Sequence, residues 1–108
     1  EIIVVDDGST DGTKEEVSSL MKYERKIKLV PLKKRQGKPH AINTFLAIAS
    51  SPIVILQSAD TLPLKNTIEN ICKPLKNPRI GIVTGHAQPL NQKNNLIGKF
   101  FISITSFK

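Results

Sequence analysis

Four short runs of apolar residues, rich in β-branched side chains, are spaced along the chain at residues 2–5, 27–30, 53–56 and 80–83. A strand with one face in water alternates apolar and polar residues, whereas a strand covered on both faces of a parallel sheet is apolar almost throughout. The four runs are of the second kind. They therefore predict four buried strands in a parallel sheet.

Apolar residues at helical spacing follow each of the first three runs. The first helix is predicted to open with Asp11 or Thr13 as its cap, and Pro39 suits the first turn of the second. A third helix is predicted around Cys72, and a fourth is predicted to begin near Asn94.

Strands that alternate with helices predict an α/β fold, namely a Rossmann-like, doubly wound, mostly parallel sheet with helices on both faces. No linker, internal repeat or low-complexity segment interrupts the pattern. Residues 1–108 are therefore predicted to form a single domain.

The composition is that of an ordinary globular protein, with 39% hydrophobic and 23% charged residues in a chain of 108. A chain of this length is expected to bury one core. The chain has a single cysteine, Cys72, so a disulfide framework within it is excluded. The Cys72 side chain is predicted to be buried, and the protein is expected in a reducing compartment. No stretch of about 20 apolar residues predicts a membrane span.

The net charge is +7, and its densest part is the run Lys-Lys-Arg-Gln-Gly-Lys at residues 33–38. In open parallel sheets, ligands bind beyond the carboxyl ends of the strands. The loops that follow the first three predicted strands are residues 6–12, 33–38 and 58–61. Carboxylates, cations and one further carboxylate are thus expected to meet at one edge of the sheet.

Each loop suggests a different contact with a nucleotide. The carboxylates of Asp6 and Asp7 can accept hydrogen bonds from a base or ribose, although a turn that only caps the next helix has the same residues. The cations of residues 33–38 precede a helix N-terminus and suit a diphosphate, but an exposed basic loop remains the alternative. A single carboxylate, Asp60, suffices for a magnesium or manganese ion that also contacts phosphates.

Three segments, EIIVVDDGSTDGT at residues 1–13, RQGKPHAIN at 35–43 and SADTLP at 58–63, resemble family 2 glycosyltransferases in sequence and in order. These enzymes have the GT-A fold and mostly transfer sugars with inversion from nucleoside diphosphate donors. The resemblance extends over nearly the whole chain. It implies a glycosyltransferase whose donor is a nucleoside-diphosphate sugar, with a UDP-sugar favoured.

The resemblance also implies roles for individual residues. Asp6 and Asp7 match the carboxylates that hold the nucleoside, and Arg35 and Lys38 lie near the donor diphosphate. Asp60 matches the last Asp of the Asp-x-Asp motif and would bind Mn2+ or Mg2+.

Two departures from the family pattern stand out. Ser58 replaces the first Asp of the Asp-x-Asp motif, which leaves one carboxylate where two are usual. No residue matches the catalytic base, which is expected beyond Lys108 in the acceptor half. The chain is therefore predicted to be the nucleotide-sugar-binding half of the enzyme, a partial domain that is inactive alone.

A non-catalytic α/β module that binds protein, lipid or nucleic acid through its basic surface is the alternative function. Nucleic acid is disfavoured because none of the four phenylalanines and one tyrosine lies in the basic run. Residues 96–102 predict an amphipathic helix that packs on the acceptor half or lies at a membrane surface, and the fragment is expected to self-associate through it. The expected location is the cytoplasm, or the cytoplasmic face of a membrane for the full-length protein.

Overall fold

A computed structural model describes residues 1–86 of the chain, which divides into two compact units, Glu1–Ile55 and Leu56–Lys108. The first unit contains β1 (Ile2–Asp6), α1 (Thr13–Met21), β2 (Ile27–Pro31) and α2 (Lys38–Ile48). The described part of the second unit contains α3 (Thr67–Cys72), which continues into a short 3-10 helix (Lys73–Lys76). The prediction of a single domain stays a prediction.

The strands β1 and β2 pair in parallel, as the sequence predicts, with Ile2 opposite Ile27 and Asp6 opposite Pro31. The pairing continues past the strand ends, where the N–H of Leu32 donates to the carbonyl of Asp6 at 2.8 Å. The helix α1 connects the two strands and lies against both, and α2 lies against β1. Because the strands run in the same direction, the loops that follow them leave the sheet at the same edge.

The other two predicted strands, residues 53–56 and 80–83, are wrong for the part of the chain that the structure describes. β-branched residues favour an extended backbone, but a strand also needs a neighbour to supply its ladder of hydrogen bonds. Among residues 1–86, neither segment pairs with another strand. Most of their side chains are open to solvent, with Leu56 exposed to 58% and Ile82 to 90%, although Ile55 and Val83 are half-buried.

Helix starts differ from the prediction at one point. The N-cap of α1 is Gly12, with φ of 88°, and neither Asp11 nor Thr13 occupies that position. Asp11 instead forms hydrogen bonds with the residue that follows the glycine. Its Oδ1 accepts the backbone N–H of Thr13 at 3.2 Å and the Thr13 hydroxyl at 2.6 Å. Pro39 lies in the first turn of α2, as predicted.

The expected buried core is also absent from residues 1–86, where no hydrophobic side chain is fully buried. Two strands have two open edges, and the helices that flank them leave residues such as Val4 and Val5 only half-buried. Cys72 is likewise half-buried, so its predicted burial is wrong. No helix in residues 1–86 has the length and apolar character that a bilayer crossing requires. The helices predicted near Asn94 and at 96–102 lie outside the described residues.

The carboxylate of Glu1 links three parts of the first unit. Its Oε2 accepts from Lys28 Nζ at 2.6 Å, and its Oε1 accepts from the Ser50 backbone N–H at 3.2 Å and the Ser50 hydroxyl at 2.9 Å. The hydrogen bond from Lys28, aided by those from Ser50, lowers the pKa of Glu1 to about 2. This residue therefore fastens the start of β1 to β2 and to the segment after α2.

We expect this contact to weaken in acid. The folded-state pKa lies below the ordinary value of 4.5, so the stabilisation is complete above that value and is lost as the pH falls towards about 2. Urea unfolding measured across this range should show a smaller acid loss of unfolding free energy for Glu1→Gln than for the wild type. Lys28→Ala removes the main hydrogen-bond donor to Glu1 and should reduce the acid loss in the same way. Equal slopes for Glu1→Gln and the wild type would contradict the role of Glu1.

Candidate functional site

The loops that follow β1 and β2 interlock at the carboxyl edge of the sheet. We call residues 6–12 the acidic loop and residues 33–38 the basic loop, and both belong to the first unit. The parallel pairing of the strands brings the two loops to the same edge, although about 30 residues separate them in sequence.

Asp7 makes the hydrogen bonds that join the loops. Its Oδ1 accepts the backbone N–H of Gln36 at 2.8 Å, and its Oδ2 accepts the N–H of Gly37 at 2.8 Å. Gly37 is the N-cap of α2, and the first turn of this helix carries no acidic residue of its own. A negative charge at a helix N-terminus is favourable, so Asp7 supplies from the acidic loop the charge that α2 lacks.

Gly8 brings the backbones of the two loops into direct contact. Its φ is +74°, and a Cβ added there would lie 2.8 Å from the Arg35 backbone nitrogen and 3.0 Å from the Lys34 carbonyl carbon. Only glycine combines this backbone conformation with so close an approach.

Asp6 is the one residue of the described chain in which a polar side chain is buried, with 3% of its surface exposed. Its Oδ1 accepts the Ser9 N–H at 2.9 Å, and Lys14 Nζ lies 3.8 Å from Oδ2. Within residues 1–86, Oδ2 has no hydrogen-bond partner. Hydrogen bonding to Ser9 is the main cause that lowers the pKa of Asp6, and the charge of Lys14 lowers it further against the opposing effect of burial. The carboxylate is therefore ionised at neutral pH.

The basic loop presents its cations to solvent. The side chains of Lys33, Lys34, Arg35 and Lys38 are all exposed. Arg35 also lies near the acidic loop: hydrogen bonds from Thr13 lower the pKa of Asp11, and the positive charge of Arg35 lowers it further. The edge of the sheet thus combines carboxylates held by the backbone with cations that are accessible to an anion.

Asp60 lies in the second unit, at the third position of a tight turn. The turn is closed by the backbone N–H of Thr61, which donates to the carbonyl of Ser58 at 3.2 Å, and by the Thr61 hydroxyl, which donates to the same oxygen at 2.9 Å. The side chain of Gln57 donates to the Thr61 carbonyl at 2.9 Å and braces the turn. The carboxylate of Asp60 is left open to solvent.

Asp60 alone provides too few oxygen atoms to hold a metal ion, so a bound molecule such as a phosphate would have to provide others. In the described range, 1–86, no group of three or more His, Cys, Asp or Glu side chains could hold a metal ion. A carboxylate oxygen is nevertheless the kind of ligand that magnesium and manganese prefer, and both ions commonly bind one or two carboxylates together with phosphates. Asp60 is therefore suited to a metal ion shared with a phosphate.

The structure brings four predicted site residues to the first unit's loop edge: Asp6, Asp7, Arg35 and Lys38. The sequence did not single out Lys14, because a lysine in the first turn of a helix has no signal that separates it from a solvated one. A shallow groove beside α1, lined by Asp11, Gly12, Thr13, Glu16 and Val17, contains none of the predicted site residues.

Replacing Gly8 by alanine should separate the two loops. Gly12→Ala is a matched control, because Gly12 has a φ of +88° but nothing within 4 Å of an added Cβ. The control should lose about 1 to 2 kcal/mol of unfolding free energy from the backbone conformation. Gly8→Ala should lose about 1 to 3 kcal/mol more, since the new methyl group overlaps the basic-loop backbone. Urea unfolding measures both, and equal losses would contradict the close approach of the loops.

Comparisons with known proteins identify relatives of this chain. A poly-beta-1,6-N-acetyl-D-glucosamine synthase of Staphylococcus epidermidis is 33% identical over 100 residues, which cover 92% of this chain and 24% of the relative. A synthase of the same name from Staphylococcus aureus is 31% identical over 100 residues, with the same coverage of both chains. The chain thus spans about a quarter of the length of the curated relatives it matches. No solved structure matches at a significant level.

The family model described as glycosyl transferase family 2 matches residues 1–104, almost the entire chain. The parallel β1–β2 pair with its helices is consistent with the GT-A, Rossmann-like α/β fold of these proteins. The chain belongs to glycosyl transferase family 2.

Proposed function

We propose that this chain binds the donor of an inverting glycosyltransferase, a nucleoside-diphosphate sugar, together with Mn2+ or Mg2+. The observation that carries the proposal is the interlocked pair of loops. It joins the Asp7 carboxylate to the backbone of the basic loop, whose cations are exposed, at the carboxyl edge of β1 and β2. Membership in glycosyl transferase family 2 supports the reaction class.

The two carboxylates have different parts in this proposal. Each oxygen of Asp7 accepts one backbone N–H, and a carboxylate oxygen can accept more than one hydrogen bond, so capacity remains for the N–H of a uracil-like base. Asp6 is buried and accepts the Ser9 N–H, so its main contribution is to hold the acidic loop in shape beneath the nucleoside.

Arg35 and Lys38 are the proposed ligands of the donor diphosphate. Both side chains are exposed at the same edge as Asp7. Their charges would favour binding of the diphosphate and would stabilise the negative charge that develops as it leaves. The Asp60 carboxylate would hold the metal ion, which neutralises charge on diphosphate oxygens when it is bound.

The relatives suggest which sugar to test first. Their names describe synthesis of poly-beta-1,6-N-acetyl-D-glucosamine. We therefore propose UDP-N-acetylglucosamine as the first donor to test. The base that activates the acceptor is proposed to lie beyond Lys108, and the full-length protein to act in the cytoplasm or at the cytoplasmic face of a membrane.

Calorimetry with UDP and Mn2+ on the intact protein tests this proposal. Arg35→Ala and Lys38→Ala should each weaken UDP binding about 10-fold or more, since a hydrogen bond to a charged group contributes about 1.5 to 3 kcal/mol. Asp60→Ala should abolish the dependence of UDP binding on the metal. Lys26→Ala and Glu24→Ala remove a lysine and a glutamate that precede β2, at the opposite end of that strand from the proposed site, and should leave UDP binding close to wild type. A folded wild-type protein that does not bind UDP would contradict the proposal.

A further inference from the structure

Two of the backbone N–H groups that lead into α2, those of Gln36 and Gly37, are already paired. The N–H groups of Gln36 and Gly37 donate to the two oxygens of Asp7, each at 2.8 Å. Pro39 has no N–H, and the N–H of Ala41 donates to the carbonyl of Gly37 at 3.2 Å in the first turn of the helix. An anion that approached the Gln36 and Gly37 amides would have to displace the Asp7 carboxylate.

We propose that Asp7 occupies the position of an anion at the N-terminus of α2, and that it is a positioning residue for the diphosphate half of the site. By holding the basic loop, it directs recognition of the diphosphate to the side chains of Arg35 and Lys38 and away from the Gln36 and Gly37 amides. This inference rests on the proposed function, in which a nucleoside diphosphate binds at this edge.

The close approach at Gly8 supports this assignment. A Cβ at that position would lie 2.8 Å from the Arg35 nitrogen, so the loop backbones are already in contact there. A phosphate therefore has no room between Gly8 and the basic loop. The negative charge of Asp7 would also repel a phosphate from the two amides, whereas the side chains of Arg35 and Lys38 extend to solvent.

Contact with the base and positioning of the basic loop are two separable roles of Asp7. If Asp7 only contacts the base, its substitution should weaken binding of uridine and leave binding of inorganic pyrophosphate unchanged. If it also positions the basic loop, pyrophosphate binding should weaken as well, although pyrophosphate has no base. Pyrophosphate is thus the probe that distinguishes the two roles.

The test compares Asp7→Asn with the wild type in the intact protein, by calorimetry with UDP, uridine and pyrophosphate at one fixed Mg2+ concentration. The asparagine loses the negative charge and can accept at only one atom, so the basic loop loses one of its two attachments. Pyrophosphate binding should weaken up to about 10-fold, because a loosened basic loop no longer holds Arg35 and Lys38 in place, and this loss should exceed the gain from removing one screened negative charge.

Glu24→Gln is the control. It also removes one negative charge, but Glu24 precedes β2 and so lies at the opposite end of that strand from the basic loop, where its Oε1 accepts the backbone N–H of Lys26. It should leave pyrophosphate binding within about twofold of wild type, because distant exposed charges are screened. Unchanged pyrophosphate binding in Asp7→Asn, or an equal loss in Glu24→Gln, would overturn the positioning role.

Amide hydrogen exchange of the wild-type protein provides a second measurement that does not depend on a stable variant. The Gln36 and Gly37 amides should exchange slowly, and faster in Asp7→Asn if that variant folds. Wild-type amides that exchange as freely as exposed ones would overturn the inference. If the folded wild type binds neither UDP nor pyrophosphate, both the proposed function and the positioning role fail. If the wild type binds both and Asp7→Asn binds pyrophosphate equally well, only the positioning role fails.

Discussion

The pair of hydrogen bonds from the Gln36 and Gly37 amides to the Asp7 carboxylate is the constraint on which the arrangement of the site depends. Parallel pairing of β1 and β2 brings the two loops to one edge, but pairing alone leaves their conformations free. The Asp7 carboxylate restricts the conformation of the basic loop by anchoring it to the acidic loop. It also supplies the negative charge that the N-terminus of α2 favours. Gly8 makes the approach possible, because any side chain there would meet the basic-loop backbone.

The parts of the fold that the sequence predicted well are those whose partners are close in the chain. The strands β1 and β2 are joined by the single helix α1, and their parallel pairing is confirmed. Residues 53–56 and 80–83 have the same composition, yet they form no strand within residues 1–86 because no described neighbour pairs with them. The spacing of apolar residues reflects the local preference of a segment and contains no information on whether a partner strand is present.

In the candidate site, too, the sequence predicted local features but not contacts between distant residues. The position of Asp7 at the end of an apolar run predicted that its carboxylate would lie at the carboxyl edge of the sheet, beside the loop that follows β2, and the structure places it there. Its contact with amides about 30 residues away could not be predicted, since backbone N–H groups have no signature in the sequence. The burial of Asp6 and the proximity of Lys14 were missed for a related reason: both depend on how the loop folds back on α1. The roles of Asp6, Asp7, Arg35, Lys38 and Asp60 toward a donor remain predictions.

A crystal structure of the intact protein with UDP bound would test the central claim most directly. We expect the diphosphate to contact the side chains of Arg35 and Lys38, while the Asp7 carboxylate keeps its hydrogen bonds to the Gln36 and Gly37 amides. A complex in which the diphosphate accepts those two amides, with the Asp7 carboxylate displaced from them, would contradict it.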